Sequence, residues 1–165
     1  LDYAGKHKVK VHVIDTFEGS GMEHAQVNLN PMYDDFMRNL DDYIQDERII
    51  VHVNRSDNQN ILDSFATNSV AAVIIDGDHT LEAVEKDVYN WWPKVMEGGI
   101  MVGDDVRLDS VKQGCYRGLA KHGIDSVTHV KGEEGWFAKI KHPNADKLGE
   151  QLKLIPGVNS MKLNG

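Results

Sequence analysis

Five side chains able to do acid–base or metal chemistry fall in two short runs. Asp76, Asp78 and His79 follow the apolar stretch Val73-Ile74-Ile75, and Asp104 and Asp105 follow Ile100-Met101-Val102-Gly103. The residues between them suffice for one crossover helix. A strand-helix-strand unit lays its two strands parallel, with both carboxyl ends on one edge. The acids would then gather in the crevice where open α/β sheets bind ligands. Two unit charges ~4 Å apart repel by about 4 kcal/mol at an effective dielectric of about 20. Such a set calls for a cation, a proton or a basic partner. A hard divalent ion such as magnesium accepts one or two carboxylates and keeps positions for water and substrate oxygens. Asp76, Asp104 and Asp105 are its candidate ligands; in the plainer reading they cap the following helices and face water. Histidine as a residue type titrates near neutrality, so His79 at the cleft rim could take a proton from a substrate hydroxyl. The alternative is a surface histidine at a helix start.

The elements that must position these groups follow from periodicity. Lys8 to Ile14 alternates apolar and polar residues, a strand pattern, and ends at Asp15, before a loop rich in small residues. A carboxylate at the tip of a parallel strand can accept both hydroxyls of a ribose, or it can simply face water. Asn30-Pro31 opens a helix whose apolar face is Met32, Phe36, Met37, Leu40, Tyr43 and Ile44. Arg48 to Val53 is a second strand. Ser56 or Asp57 could cap the next helix, Asn58 to Ala66, and Ser56 also stands where a strand tip could meet an adenine ring. Val70 to Ile75, nearly all apolar, reads as a central strand covered on both faces. A helix from Thr80 to Met96 buries Leu81, Val84, Val88, Trp91, Trp92 and Val95, with Gly98-Gly99 as its C-cap turn. Ile100 to Val102 is the fourth strand, and Ser110 to His122 a helix stopped by Gly123. Asp125 to Val130 and Gly135 to Ile140 form a hairpin, followed by a helix from Asn144 to about Leu154 and a polar tail. Such alternation predicts an α/β fold: a Rossmann-like, mostly parallel sheet with helices on both faces and an antiparallel C-terminal hairpin.

Composition bounds the function. A chain of 165 residues with 41% hydrophobic and 27% charged residues is expected to make one domain, residues 1–165. The net charge of −8 disfavours nucleic acid as a partner. No apolar run approaches the ~18 residues needed to span a membrane, no signal-peptide pattern opens the chain, and the single cysteine, Cys115, suits a reducing cytoplasm. Cys115 has no base at suggestive spacing and reads as a helix residue. The first residue is Leu1, as expected of a processed chain or of part of a longer one.

Ile75-Asp76-Gly77-Asp78-His79-Thr80, the acidic residues and Trp92 of the next helix, and Gly98-Gly99 through Asp105 together resemble class I S-adenosylmethionine-dependent methyltransferases. The segment Asp15-Thr16-Phe17-Glu18-Gly19-Ser20 resembles the second strand and loop of the same group. The nearest branch is the small-molecule O-methyltransferases with an Asp-Gly-Asp-His motif, related to the metal-dependent catechol type. That resemblance, spanning roughly residues 8–140, implies O-methylation of a small-molecule hydroxyl, with S-adenosylmethionine as cofactor and a divalent ion such as magnesium. It implies that Asp15 holds the cofactor ribose, Ser56 lies near the adenine and Asp76 serves both cofactor and catalysis. Asp76, Asp104 and Asp105 would match the metal positions, and His79 the catalytic base. Gly21 to Asn30 would form part of a lid over the acceptor. The family opens with a strand and a glycine-rich turn that this sequence lacks, so the first central strand is expected to be absent. A second copy or a partner chain would then complete the sheet.

Two rival readings follow from the same residues. In a haloacid-dehalogenase-like phosphatase, Asp76 would attack phosphorus and Asp78 would be the acid, although that family places a lysine motif between its acidic motifs. In a non-catalytic methyltransferase-like domain, the absent glycine-rich turn would mean weak nucleoside binding or a role in assembly.

Overall fold

β-Branched residues recur through the strands and set the frame. In the computed structural model, which describes residues 9–19, 30–130, 136–141 and 158–162, the chain divides into two compact units, residues 1–58 and 59–165.

In the first unit, strands β1 (Val11–Asp15) and β2 (Ile49–Val53) pair in parallel, with Val11 opposite Ile49 and Asp15 opposite Val53. Among its described residues the connection carries two helices, α1 (Asn30–Asn39) and α2 (Asp41–Gln45), where one continuous helix was expected. The break falls at Leu40, whose φ of −115° and ψ of 13° leave the helical region. Its carbonyl still accepts from Tyr43 and Ile44, so the chain re-enters a helix at once. Side by side on the two strands, His12 Nδ1 and His52 Nε2 lie 2.9 Å apart, with rings stacked within 13° of parallel.

In the second unit, α3 (Gln59–Ser64) leads to β3 (Val70–Ile75), α4 (Leu81–Trp91), a 3-10 turn (Trp92–Lys94) and β4 (Val95–Gly103). Thr80 caps α4, its Oγ1 accepting the Ala83 N–H at 3.4 Å. The helix is shorter than expected because Pro93 cannot continue it, and strand begins at Val95. Gly98 and Gly99 are therefore not a C-cap. They form a bulge inside β4: Val70 and Ala72 of β3 face Val95 and Ile100, so one intervening residue of β3 stands against four of β4. Gly98 has φ of +79°, and a Cβ on Gly99 would meet the Ala71 carbonyl at 2.8 Å.

Helix α5 (Asp109–Ala120) follows, and Gly123 (φ +73°) stops the turn after it as expected. Strands β5 (Ser126–Val130), β6 (Trp136–Ile140) and β7 (Val158–Lys162) close a five-stranded sheet of order β3-β4-β6-β5-β7. β3 and β4 are parallel and the other pairs antiparallel, so the expected edge hairpin is present and gains a third strand, β7, in the stretch read as tail. The expected helix 144–154, the turn 131–134 and most of the expected lid (residues 21–29 of 21–30) lie outside the described residues.

The core sits between α4, α5 and the sheet: Val88, Val95, Met101, Cys115 and Leu119 are fully buried. Cys115 is thus a packed helix residue, and burial drives its thiol far above the usual range. The helices meet closely because Gly114 and Gly118 present no side chain to Val84 and Val88. By contrast β3 is not covered on both faces among the described residues, since Ile74 is 69% exposed. No helix among the described residues is long and apolar enough to cross a membrane.

Two outcomes test this account. A Cβ on Gly118 would stand 2.7 Å from Val88 Cβ and 2.8 Å from the Glu85 carbonyl, neither of which can swing away. Gly118→Ala should lower stability in urea denaturation by about 1–3 kcal/mol. Burial, followed by the charges of His52 and Lys10, holds His12 below its ordinary range. The folded first unit therefore favours neutral His12, whereas the unfolded chain takes up a proton near pH ~6.5. Its contribution is complete above that pH and is lost as pH falls through the lower folded value. Intrinsic-rate-corrected hydrogen exchange in β1 and β2 should be faster at pH 5.5 than at 7.5, and His12→Phe should flatten the difference.

Candidate functional site

Parallel pairing puts the carboxyl ends of β3 and β4 on one edge. The ladder runs one step past the strands, because Asp104 N–H donates to the Ile75 carbonyl at 3.1 Å. Asp76 and Asp104 therefore leave adjacent strand tips. In the turn after β3, Asp78 Oδ1 accepts the Thr80 N–H at 2.8 Å, an Asx turn that feeds directly into the Thr80 cap. This turn directs His79 toward the β4 tip: its Nε2 lies 3.5 Å from Asp105 Oδ2 and 4.0 Å from Asp76 Oδ1.

Asp105 adopts φ of +53°, a left-handed conformation that aspartate tolerates better than most residues. Its N–H donates to Asp104 Oδ1 at 2.7 Å, and its carbonyl accepts from Leu108 N–H at 2.9 Å. The two carboxylate oxygens face opposite ways. Oδ2 meets His79, while the buried Oδ1 has no aligned hydrogen bond among the described residues, and Arg107 Nε approaches it at 3.5 Å. Arg107 was missed by sequence reasoning. Its only signal was a position two residues beyond the acidic pair.

Asp76 is exposed, with its side chain 58% accessible against 22% for His79 and 19% for Asp105. Its carboxyl is nevertheless held above the ordinary range, first by partial burial and next by the charge of Asp104. Asp105 adds to the effect and His79 opposes it.

The acid cluster anticipated from sequence is therefore present at one strand edge, but not as a cage for an ion. Among the described residues no group of three carboxylate, imidazole or thiolate side chains stands together as a ligand set. Asp104 Oδ1 is turned onto a backbone N–H, and the oxygens of Asp105 onto His79 and Arg107. The donor types suit a hard cation, but the expected triad of Asp76, Asp104 and Asp105 is not assembled. What is assembled is an imidazole flanked by two carboxylates.

In the first unit, Asp15 closes β1 as expected. Its Oδ1 accepts the Phe17 N–H at 2.7 Å across a turn in which Phe17 takes φ of +57°. Asn54 N–H donates to the Asp15 carbonyl at 3.0 Å, so the tips of β1 and β2 are tied together. Ser56 follows half-buried at the same edge, and Asp57 grips Arg55 through two hydrogen bonds of 2.9 and 3.1 Å. A carboxylate at one strand tip beside amide and hydroxyl groups at the next is a donor and acceptor set suited to nucleoside hydroxyls and ring edges.

An α/β protein of Rossmann-like type, with acids at the carboxyl ends of parallel strands, is the class these features define. Residues 1–106 match the methyltransferase-domain family, and the chain belongs to it. The phosphatase alternative is thereby set aside, in keeping with Asp78 engaged in its own turn. Among solved structures, the O-methyltransferase NovP is similar at 18% identity, over 84% of this chain and 64% of that one, with a TM-score of 0.63. A protein from Corynebacterium glutamicum is similar at 15% identity, over 82% of this chain and 62% of that one, with a TM-score of 0.58. At such identity the likeness is one of fold. The chain spans less than two thirds of the length of either. No curated protein matches the sequence.

The electrostatics make a signed prediction. Asp104→Asn removes a charge that holds the Asp76 carboxyl up, and His79→Gln removes one that pulls it down. In a carbon-detected NMR titration, Asp76 should move to lower pKa in the first variant and to higher pKa in the second.

Proposed function

We propose that the protein methylates a hydroxyl group of a small molecule, using S-adenosylmethionine, the cofactor its family implies. The observation that carries this reading is His79, poised between Asp76 and Asp105 at the carboxyl edge of β3 and β4. When bound, S-adenosylmethionine supplies an electrophilic methyl group. Asp15 would accept its ribose hydroxyls, with Ser56 near the adenine.

His79 would act as general base on the acceptor hydroxyl. With its Nε2–H turned to Asp105, the ring is basic at Nδ1, the tautomer logic of a histidine oriented by a carboxylate. Asp105 would stabilise the imidazolium once the proton has moved, and Arg107 Nε, 3.5 Å from Asp105 Oδ1, would help to hold that carboxylate in place. Asp76, which already disfavours ionisation beside Asp104, would gain from a positive charge on His79. Magnesium was part of the expectation from resemblance. The geometry favours the histidine route, so no role is assigned to an ion.

The reading extends to assembly. Among the described residues β3 hydrogen-bonds only to β4, and Ile74 lies exposed on it. A further strand alongside β3, from another segment of the protein or from a second copy, would cover that edge.

Calorimetric titration of S-adenosylhomocysteine should show micromolar binding. His79→Gln should leave that affinity within about twofold while lowering methyl transfer to a panel of phenols and sugar hydroxyls by roughly 10²–10⁴-fold. A folded chain that binds no S-adenosylhomocysteine would overturn the proposal in favour of a non-catalytic role.

A further inference from the structure

Helix α4 buries Val84, Asp87, Val88 and Trp91 in one stripe, and the aspartate stands out. Among the described residues Asp87 is the charged side chain found in the buried class, at 9% exposure. An aspartate in such a position is costly, and an apolar residue there would pack at less expense of hydration. Asp87 Oδ2 lies 4.0 Å from where a side-chain carbon on Gly77 would stand, beneath the turn that carries Asp76, Asp78 and His79.

That turn is secured at its far end by bonds already described, with Asp78 holding Thr80 and Thr80 holding Ala83. Its near end, Asp76-Gly77, follows β3 directly, and here Asp87 comes up from the helix. We propose that Asp87 is a positioning residue for the site: a buried acceptor for main-chain N–H groups at Gly77, fixing the turn that aims His79 at Asp105. A carboxylate accepts two or more N–H bonds at once, which no apolar residue in the stripe could do. The sequence offered Asp87 only as one acid among several on a helix, and its inward direction appears only with the fold.

The inference rests on the methyltransferase reading for its use, but not for its existence, and the test separates the two. Asp87→Asn keeps shape and one acceptor oxygen; Asp87→Leu keeps volume and removes both. Hydrogen exchange at the amides of residues 77–79 is measured for each variant beside the parent, with thermal unfolding followed in parallel. Exchange there should quicken at least tenfold in Asp87→Leu and less in Asp87→Asn, while amides in β4 and α5 stay protected. If the protein binds S-adenosylhomocysteine, kcat should fall at least tenfold in Asp87→Leu with little change in KM for the cofactor, and Asp87→Glu should recover part of the loss. Unchanged exchange at 77–79 in both variants would overturn the proposal, whatever the activity. Faster exchange at 77–79 with parental kcat would make Asp87 a stabiliser of the turn and not a positioning residue. Faster exchange in a chain that binds no cofactor would leave the device standing and sink the enzymatic reading alone.

Discussion

Register in the parallel pair β3–β4 governs everything at the second unit's carboxyl edge. Ile75 faces Gly103, and the ladder continues into the Asp104 N–H and Ile75 carbonyl pair. A shift of one residue would exchange the faces of every side chain beyond it. Asp76 and Asp104 would then leave the sheet on opposite sides, and His79 would have no carboxylate to meet. The bulge at Gly98-Gly99 works to the same end. It takes up the mismatch between the end of α4 and the start of the paired strand, so the tip of β4 arrives level with that of β3.

Much of this was legible in the sequence, for a simple reason. Apolar runs such as Val70 to Ile75 and Ile100 to Val102 mark strands, and the acids that end them mark an edge. Those signals are local and survived folding intact. The Gly98-Gly99 pair did not, because two glycines after a helical pattern look alike whether they cap the helix or bulge a strand; Pro93 was the better guide. Leu40 is apolar and helix-favouring, so nothing local announced the break there. Strand β7 escaped notice because its pairing is with β5 and its own residues Val158 to Lys162 carry little pattern. The exposed flank of β3 is a similar case, since apolar sequence says that a residue wants cover and not what supplies it.

At the site, residue types were legible and their partners were not. Asp, Asp and Asp at two strand tips suggest an ion on charge alone. The arrangement depends on where each oxygen points, and Asp105 points where it does because of its left-handed backbone. One torsion angle thus separates a ligand set from an imidazole flanked by carboxylates. Arg107 completes the change, since a guanidinium beside Asp105 supplies part of the positive charge that the cluster requires.

The close meeting of α4 and α5 has a further use, as a built-in reporter. Cys115 is the chain's one cysteine and is fully buried in this packing. A thiol reagent can reach it only when the glycine-lined helix contact parts. Labelling under native conditions would then time the opening of the second unit by itself, since the first contains no thiol. In a protein of two compact units, a single silent thiol makes the stability of one measurable without disturbing or observing the other.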